Sequence, residues 1–234
     1  MLRAVLFDLD GTIADSAPII TRTIGNTMRE LAGLDQPDSA YRRYVGPPLN
    51  ESFAHLGVPA DEITSYIAHY KAAYAKVHHA TPVFDGVPEL LGAVRDAGFA
   101  VGLATSKMED VAKVVVENLG LTDYFDVLCG SLPGEVELGK PAVVATALTR
   151  LHDAGLLEVG VREKQGMDSP LRDDVVMVGD RIYDIEGARL HGIRTILATW
   201  GDSWPEEEKL AWRTASTADE VLEILLDARE NGIA

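Results

Sequence analysis

Short runs of consecutive apolar residues recur along this chain, and each is bounded by glycine, proline or polar residues. Runs of this length are typical of strands that are buried on both faces of a parallel sheet. Segments with apolar residues at helical spacing separate them, so that strands alternate with helices. This alternation predicts an α/β fold with a doubly wound, Rossmann-like parallel sheet. The predicted strands are residues 4–7, 99–104, 125–129, 175–178 and 194–198.

The segment between the first two strands has a different pattern. From residue 16 to residue 84 the apolar positions, such as Ile20, Ile24 and Met28, follow helical spacing, and no strand pattern interrupts them. We therefore predict an all-helical cap domain at 16–84, including one helix over 61–79. The cap is inserted into a core domain formed by 1–15 and 85–234. A polar stretch at 153–174 is longer than most loops of compact domains, and we predict a surface insert that is disordered or contacts a second copy, with a role in substrate binding as the alternative.

Two carboxylates stand where the first predicted strand ends. Asp8 follows the apolar run directly, and Asp10 lies two positions later. Two ionised carboxylates at the end of a buried strand repel each other and lose hydration, a cost that a bound cation or a shifted pKa recovers. Gly11 and Thr12 follow, where a tight turn offers backbone N–H groups to an anion. Together, the carboxylates and the turn indicate phosphate chemistry beside a metal site. A pair of carboxylates without the other motifs would be explained equally by an acidic turn exposed to solvent.

The D-x-D-G-T run after an N-terminal strand resembles the first motif of the haloacid dehalogenase-like (HAD) hydrolases. Residues matching the family's other three motifs follow in the same order, namely Thr105, Lys140 and the G-D-R-I-Y-D run at 179–184. Each lies at or just beyond the carboxyl end of a predicted strand, the edge at which open parallel sheets bind ligands. Four ordered motifs are a far more specific signal than any one of them.

The resemblance implies a role for each matching residue. Asp8 would attack phosphorus and become an aspartyl phosphate, since a carboxylate is a nucleophile near neutral pH. Asp10 would protonate the leaving alkoxide and then deprotonate the water that hydrolyses the intermediate. Thr105 and Lys140 would bind the phosphoryl oxygens in the transition state.

The resemblance also implies Mg²⁺ as the cofactor. Asp8 and Asp180 would bind the ion through their carboxylates, and Asp10 through its backbone carbonyl. Asp184 would support the site from one helical turn after Asp180, on the same side. Oxygen ligands and retained waters suit Mg²⁺, and this ion neutralises charge on a phosphoryl group.

Substrate choice is expected to lie with the cap, because its closure excludes water and supplies contacts to the leaving group. Two cap runs, G-P-P-L at 46–49 and Y-x-x-x-Y at 70–74, resemble those of phosphoglycolate phosphatase-like proteins and of a related group of 5′-nucleotidases. The candidates for substrate contact are the cap cations Arg42, Arg43 and Lys71 and, next to Thr105, Ser106 and Lys107.

The predicted function is that of a Mg²⁺-dependent phosphatase acting on a small phosphorylated metabolite, with phosphoglycolate first among the candidates. A 5′-nucleotidase, a phosphomutase and a phosphate-sensing domain are the alternatives. Mutases with a similar cap tend to carry an E-D pair where this chain has Gly179 and Asp180. A receiver-type sensing domain has no cap, and its acceptor aspartate follows a later strand.

Composition narrows the partners. The chain has 234 residues and a formal net charge of -16, which disfavours nucleic acid and anionic membranes, because both are bound through basic patches. No apolar run approaches the roughly 18 residues of a membrane span. The single cysteine, Cys129, excludes an internal disulfide and favours a reducing compartment. We therefore expect a cytoplasmic protein, monomeric or homodimeric, with no nucleic-acid or membrane partner.

Overall fold

The computed structural model describes residues 1–134, 138–161, 166 and 169–233. These residues form a six-stranded parallel sheet in the order β3-β2-β1-β4-β5-β6. The strands are β1 (Ala4–Phe7), β2 (Ala100–Met108), β3 (Val127–Ser131), β4 (Val175–Gly179), β5 (Arg194–Ala198) and β6 (Arg213–Ala215). Strand β1 pairs with β2 on one side and with β4 on the other. The strand order therefore reverses at β1, and the carboxyl end of β1 opens into the crevice where such sheets bind ligands.

Helices cover both faces of the sheet, because successive side chains of each strand point to opposite faces. The core helices are α4 (Val87–Asp96), α5 (Glu109–Asn118), α6 (Gly139–Asp153), α7 (Ile182–Arg189), α8 (Pro205–Glu208) and α9 (Ala218–Asn231). Val5 and Phe7 pack against α4, α5 and α9, while Ala4 and Leu6 belong to the cluster formed with α6 and α7. The doubly wound sheet predicted from the sequence is confirmed.

The chain between β1 and β2 is helical. It contains α1 (Ala17–Ala32), α2 (Leu49–His55), α3 (Ile63–Tyr74) and two 3-10 helices, Asp38–Tyr44 and His78–Ala80. These helices have an apolar cluster of their own, in which the ring of Phe53 meets those of Tyr66 and Tyr70 edge-on. Ala14 and Val83 form an antiparallel bridge, so the chain leaves and re-enters the core side by side. An inserted helical cap is confirmed, and its boundaries at 15/16 and 84/85 stay a prediction.

Several elements differ from their predicted extents. Strand β2 continues to Met108, beyond its apolar run, because Met108 pairs with Ser131 of β3 after an irregularity in register. The helix predicted over 61–79 ends at Tyr74 in α3. The edge strand β6 was not predicted, since its sequence R-T-A contains one buried residue, Ala215, and therefore has no apolar pattern.

The polar insert predicted at 153–174 is held by a completely buried arginine. The guanidinium of Arg172 donates to the carbonyls of Gly160 and Val159 at 2.6 and 2.7 Å and to both carboxylate oxygens of Asp174. Residues 162–165 and 167–168 of this insert lie outside the described residues. Within the described ranges, no helix is both long enough and apolar enough to cross a membrane.

Candidate active site

Three carboxylates meet at the carboxyl edge of the sheet. Asp8 follows β1, Asp180 follows β4, and Asp184 lies in the first turn of α7. One carboxylate oxygen of each lies within 4.8 Å of the others. Asp184 also accepts a hydrogen bond from the Arg181 N–H at 3.1 Å, so it caps α7, and Asp180 lies before that helix. The turn between Asp180 and Asp184, and not the predicted helical spacing, brings the two together.

Asp180 is the most deeply buried member of the cluster, with 0% of its surface exposed. Its Oδ1 accepts a hydrogen bond from the Thr12 hydroxyl at 3.2 Å, and its Oδ2 accepts one from the Asp202 N–H at 2.8 Å. Burial raises the pKa of Asp180 well above its ordinary value, and the charges of Asp184 and Asp8 raise it further. Buried oxygens that repel one another are the surroundings that a hard divalent cation relieves, so these residues fit Mg²⁺.

The turn after β1 packs against the same carboxylate. Gly11 has a φ of 85°, and a Cβ at this position would lie 2.2 Å from Asp180 Oδ2, so a larger residue would collide. The Gly11 N–H donates to the Ala14 carbonyl at 2.9 Å, and the Thr12 N–H faces the Leu9 carbonyl at 3.4 Å. The predicted use of these two N–H groups as a phosphate cradle is therefore corrected. Both are used inside the turn, and Gly11 and Thr12 position Asp180 instead.

Lys140 joins two of the carboxylates. From the first turn of α6, its Nζ lies 2.7 Å from Asp8 Oδ1 and 2.7 Å from Asp184 Oδ1, and it donates to the Ala104 carbonyl at 3.0 Å. Burial acts to lower the pKa of Lys140, but the two carboxylates outweigh it and the pKa is raised. Gly187 of α7 makes room for this side chain, since a Cβ there would lie 2.6 Å from Lys140 Cγ.

The Asp8 carboxyl has an altered acidity. Burial raises the pKa of Asp8 to about 6, with Asp184 and Asp10 acting in the same direction and Lys140 opposing them. At neutral pH most of this group is therefore still ionised, which is the form that a nucleophile needs.

Asp10 is paired with a different lysine. Lys107 Nζ lies 2.8 Å from Asp10 Oδ2, donates to the Tyr74 hydroxyl at 3.0 Å, and lies 4.8 Å from the centre of the Tyr74 ring. Burial acts to lower the pKa of Lys107, but Asp10 and the nearby tyrosines outweigh it and the pKa is raised. The expectation that Lys107 contacts substrate stays a prediction, because Lys107 lines the cavity between core and cap as well as pairing with Asp10. Through Tyr74, the same lysine connects the cap to this carboxylate.

A cavity of about 350 Å³ lies above these residues, between core and cap. Its core side includes the predicted catalytic and binding residues Asp8, Asp10, Thr105, Ser106 and Lys140. Thr105 is buried and lies within β2, because that strand is longer than predicted. Lys71 of α3 lines the cap side. Four predicted substrate contacts are not among the described residues that line this cavity, namely Gly11, Thr12, Arg42 and Arg43.

Arg42 contacts the core. Its Nε lies 2.5 Å from Asp202 Oδ1, and the Asp202 side chain is only 4% exposed. The prediction that Arg42 binds substrate is corrected, since a buried carboxylate neutralises it. Because Asp202 also donates its N–H to Asp180, one residue links the cap arginine to the carboxylate cluster.

Sequence reasoning missed Arg181 and Asp202. Arg181 is buried, lines the cavity, donates to the Val45 carbonyl of the cap at 2.5 Å and pairs with Glu207 at 3.4 Å. A signal for Arg181 was available, since it follows Asp180 inside the G-D-R-I-Y-D run. Asp202 stands in no motif, and only the folded chain reveals its role.

Known proteins resemble this chain over nearly its whole length. The family model described as haloacid dehalogenase-like hydrolase matches residues 5–198. The tyrosine-protein kinase PtkA of Mycobacterium tuberculosis is 31% identical over 94% of this chain and 72% of its own length. The solved structure of PtkA has a TM-score of 0.74 and covers 96% of this chain and 98% of the solved chain.

Two further relatives are named as phosphatases. A phosphoglycolate phosphatase of Xanthomonas campestris is 31% identical over 90% of this chain and 89% of its own. The crystal structure of a predicted phosphatase from Clostridium acetobutylicum is 29% identical, with a TM-score of 0.82, and covers 97% of this chain and 99% of its own.

The matched segment contains every residue that the four sequence motifs singled out. In the structure, the carboxylates of the first and fourth motifs and the lysine of the third lie within one cluster. Sequence, fold and site thus agree, and the chain belongs to the haloacid dehalogenase-like hydrolase family.

Proposed function

We propose that this hydrolase is a Mg²⁺-dependent phosphatase that hydrolyses a small-molecule phosphate monoester through an aspartyl phosphate at Asp8. The observation that carries the proposal is a pair of carboxylates with different partners at one cavity, Asp8 beside Lys140 and Asp10 beside Lys107. Two carboxylates that line one cavity can both reach a bound ester, and the reaction needs two such groups, a nucleophile and a proton carrier. The relatives named as phosphatases support the same class, that of phosphoric monoester hydrolases.

Asp8, Asp180 and Asp184 would hold the Mg²⁺ through their carboxylates, and Asp10 through its backbone carbonyl. When bound, the ion supplies positive charge that offsets the negative oxygens of a phosphoryl group. Lys140 adds a further positive charge beside Asp8, and Thr105 adds a hydroxyl donor at the same cavity. Donors fixed in place before the reaction stabilise the transition state without reorganising.

The reaction has two halves. In the first, an Asp8 oxygen forms a bond to phosphorus while the bond from phosphorus to the ester oxygen breaks, and Asp10 gives its proton to the departing alkoxide. In the second, water attacks the same phosphorus, Asp10 takes the proton of that water, and Asp8 leaves as a free carboxylate. Asp10 thus regains the proton that it gave up, and the cycle consumes only ester and water.

The possible enzymes differ in the molecule that gives the phosphoryl group and in the molecule that receives it. Phosphoglycolate is one candidate ester, since a relative named phosphoglycolate phosphatase matches most of the chain. A 5′-nucleotidase would use a nucleoside monophosphate, and a phosphomutase would return the phosphoryl group to a second hydroxyl. A kinase, as PtkA is named, would take the group from a nucleoside triphosphate and give it to tyrosine.

The test measures phosphate release from phosphoglycolate, nucleoside monophosphates, a sugar phosphate and an aryl phosphate, with Mg²⁺ and with EDTA. We expect release with Mg²⁺ that EDTA abolishes and that Asp8→Asn abolishes as well. Asp123→Asn is the control, because Asp123 is an exposed carboxylate in the 3-10 helix Thr122–Tyr124, outside the cavity.

Folded protein that releases no phosphate from any ester would contradict the phosphatase, and so would labelling of tyrosine from a triphosphate in its place. Undiminished release by Asp8→Asn would contradict the aspartyl phosphate while leaving a phosphatase of another mechanism.

A further inference from the structure

The cap side of the cavity is mainly apolar. Six cap residues with apolar or aromatic side chains line it, and we call them the cap wall: Tyr44, Pro47, Leu49, Ile67, Tyr70 and Tyr74. The rings of Tyr70 and Tyr74 stack with a centroid distance of 5.5 Å and an interplanar angle of 11°. Among the described residues of the cap, none that lines the cavity is acidic.

The cations that line this cavity already have partners, with one exception. Lys140 is bound by Asp8 and Asp184, Lys107 by Asp10, and Arg181 by Glu207. Lys71 is exposed and makes no ion pair within the described part of the chain. The leaving group of an ester bound here therefore contacts polar residues of the core, the apolar cap wall and, within the described ranges, one unpaired cation, Lys71.

The size of the cavity also favours a leaving group with a large apolar part. At about 350 Å³ it falls within the range of pockets that enclose drug-sized ligands, roughly 300–1,000 Å³. Glycolate has a single CH₂ group and a carboxylate, so it offers the cap wall almost no apolar surface. Apolar surface facing apolar surface is what stabilises a ligand in such a pocket, and aromatic rings favour aromatic partners.

We propose that the substrate is the phosphate monoester of an alcohol bearing an apolar group of aromatic-ring size, which packs on the cap wall while the phosphoryl group lies beside Asp8. This inference rests on the proposed phosphatase activity and narrows it to one class of ester.

The test compares kcat/KM for 2-phenylethyl phosphate, ethyl phosphate and phosphoglycolate with Mg²⁺ present. The two simple alcohols are nearly equal as leaving groups, so their ratio reports the fit of the ring. Burying a phenyl group on the cap wall is expected to favour 2-phenylethyl phosphate by about tenfold or more over each of the other esters.

Ile67→Ser is expected to lower the phenylethyl-to-ethyl ratio by about threefold, because it removes apolar contact from the wall. Ile63→Ser is the matched control, since Ile63 lies one turn earlier in α3, is half-buried against the same cap cluster, and does not line the cavity. It should leave the ratio unchanged, and thermal unfolding shows whether the two variants lose similar stability.

Ethyl phosphate or phosphoglycolate turned over as well as the phenylethyl ester would overturn this inference and leave the phosphatase intact. An equal loss of the ratio in Ile67→Ser and Ile63→Ser would overturn the role of the wall. Hydrolysis of none of the esters would overturn the phosphatase, and this inference with it.

Discussion

Asp180 is the carboxylate of this site whose ionised form is most destabilised by burial and by neighbouring negative charges. It is fully buried, and both of its oxygens accept hydrogen bonds, yet its charge faces those of Asp8 and Asp184. Folding therefore favours the protonated form of Asp180, which is why its pKa is raised. A bound Mg²⁺ would relieve the same repulsion, which is why the cluster fits this ion.

Asp180→Asn is expected to stabilise the metal-free protein and to abolish its stabilisation by Mg²⁺. In EDTA near pH 7 the midpoint of thermal unfolding should rise by at least about 2 °C, since the amide removes a buried charge and keeps an acceptor for the Asp202 N–H. The measurement is thermal unfolding with and without Mg²⁺, with the exposed Asp123→Asn as control.

The pH dependence of this difference has a definite sign. Folding raises the pKa of Asp8 to about 6 and that of Asp180 in the same direction, so the folded protein binds protons more tightly than the unfolded chain. These two groups should therefore make the metal-free wild type lose stability relative to Asp180→Asn as pH rises from about 4 through about 6. A variant less stable than wild type in EDTA at neutral pH would contradict the repulsion.

Two arginines join elements of the cap to elements of the core. Arg42, in the 3-10 helix Asp38–Tyr44, binds Asp202 of the loop after β5, and Arg181, just before α7, binds the Val45 carbonyl of the cap. Asp202 holds Asp180 through its N–H. Arg42 of the cap is therefore linked to the carboxylate cluster through Asp202.

Arg42→Ala is expected to weaken Mg²⁺ activation by about tenfold, because it frees the buried Asp202 that positions Asp180. Arg43→Ala is the matched control, since Arg43 is the exposed neighbour in the same 3-10 helix and does not line the cavity. Phosphate release measured against Mg²⁺ concentration distinguishes them. Equal Mg²⁺ dependence in both variants would show that the contact between Arg42 and Asp202 does not reach the cluster.

For the whole molecule, the sequence predicts those features that depend on neighbours along the chain. The apolar run before Asp8 marks a buried strand, and the edge of a parallel sheet then places Asp8 near Asp180. The inserted cap is visible because helical spacing replaces strand spacing after β1. Each of these follows from local patterns and one general rule of topology.

Contacts between distant segments could not be predicted in the same way. Lys107 stands next to the motif residue Thr105, but its pairing with Asp10 and Tyr74 depends on how the cap packs on β2. Arg42 is a cation of the cap and could therefore bind an anionic substrate, and only the fold shows that its guanidinium pairs with Asp202. Strand β6 has no apolar pattern in its sequence, and it is recognised as a strand only by its pairing with β5 in the folded chain.

The central claim is a covalent phosphoryl group on Asp8, and mass spectrometry of acid-quenched Asp10→Asn protein tests it most directly. With an aryl phosphate and Mg²⁺, the good leaving group needs no proton from residue 10, whereas hydrolysis of the intermediate lacks its base. One phosphoryl group should therefore accumulate on the peptide that contains Asp8, and none in the Asp8→Asn protein. Turnover of the ester with an unmodified Asp8, or a phosphoryl group on another residue, would contradict the claim.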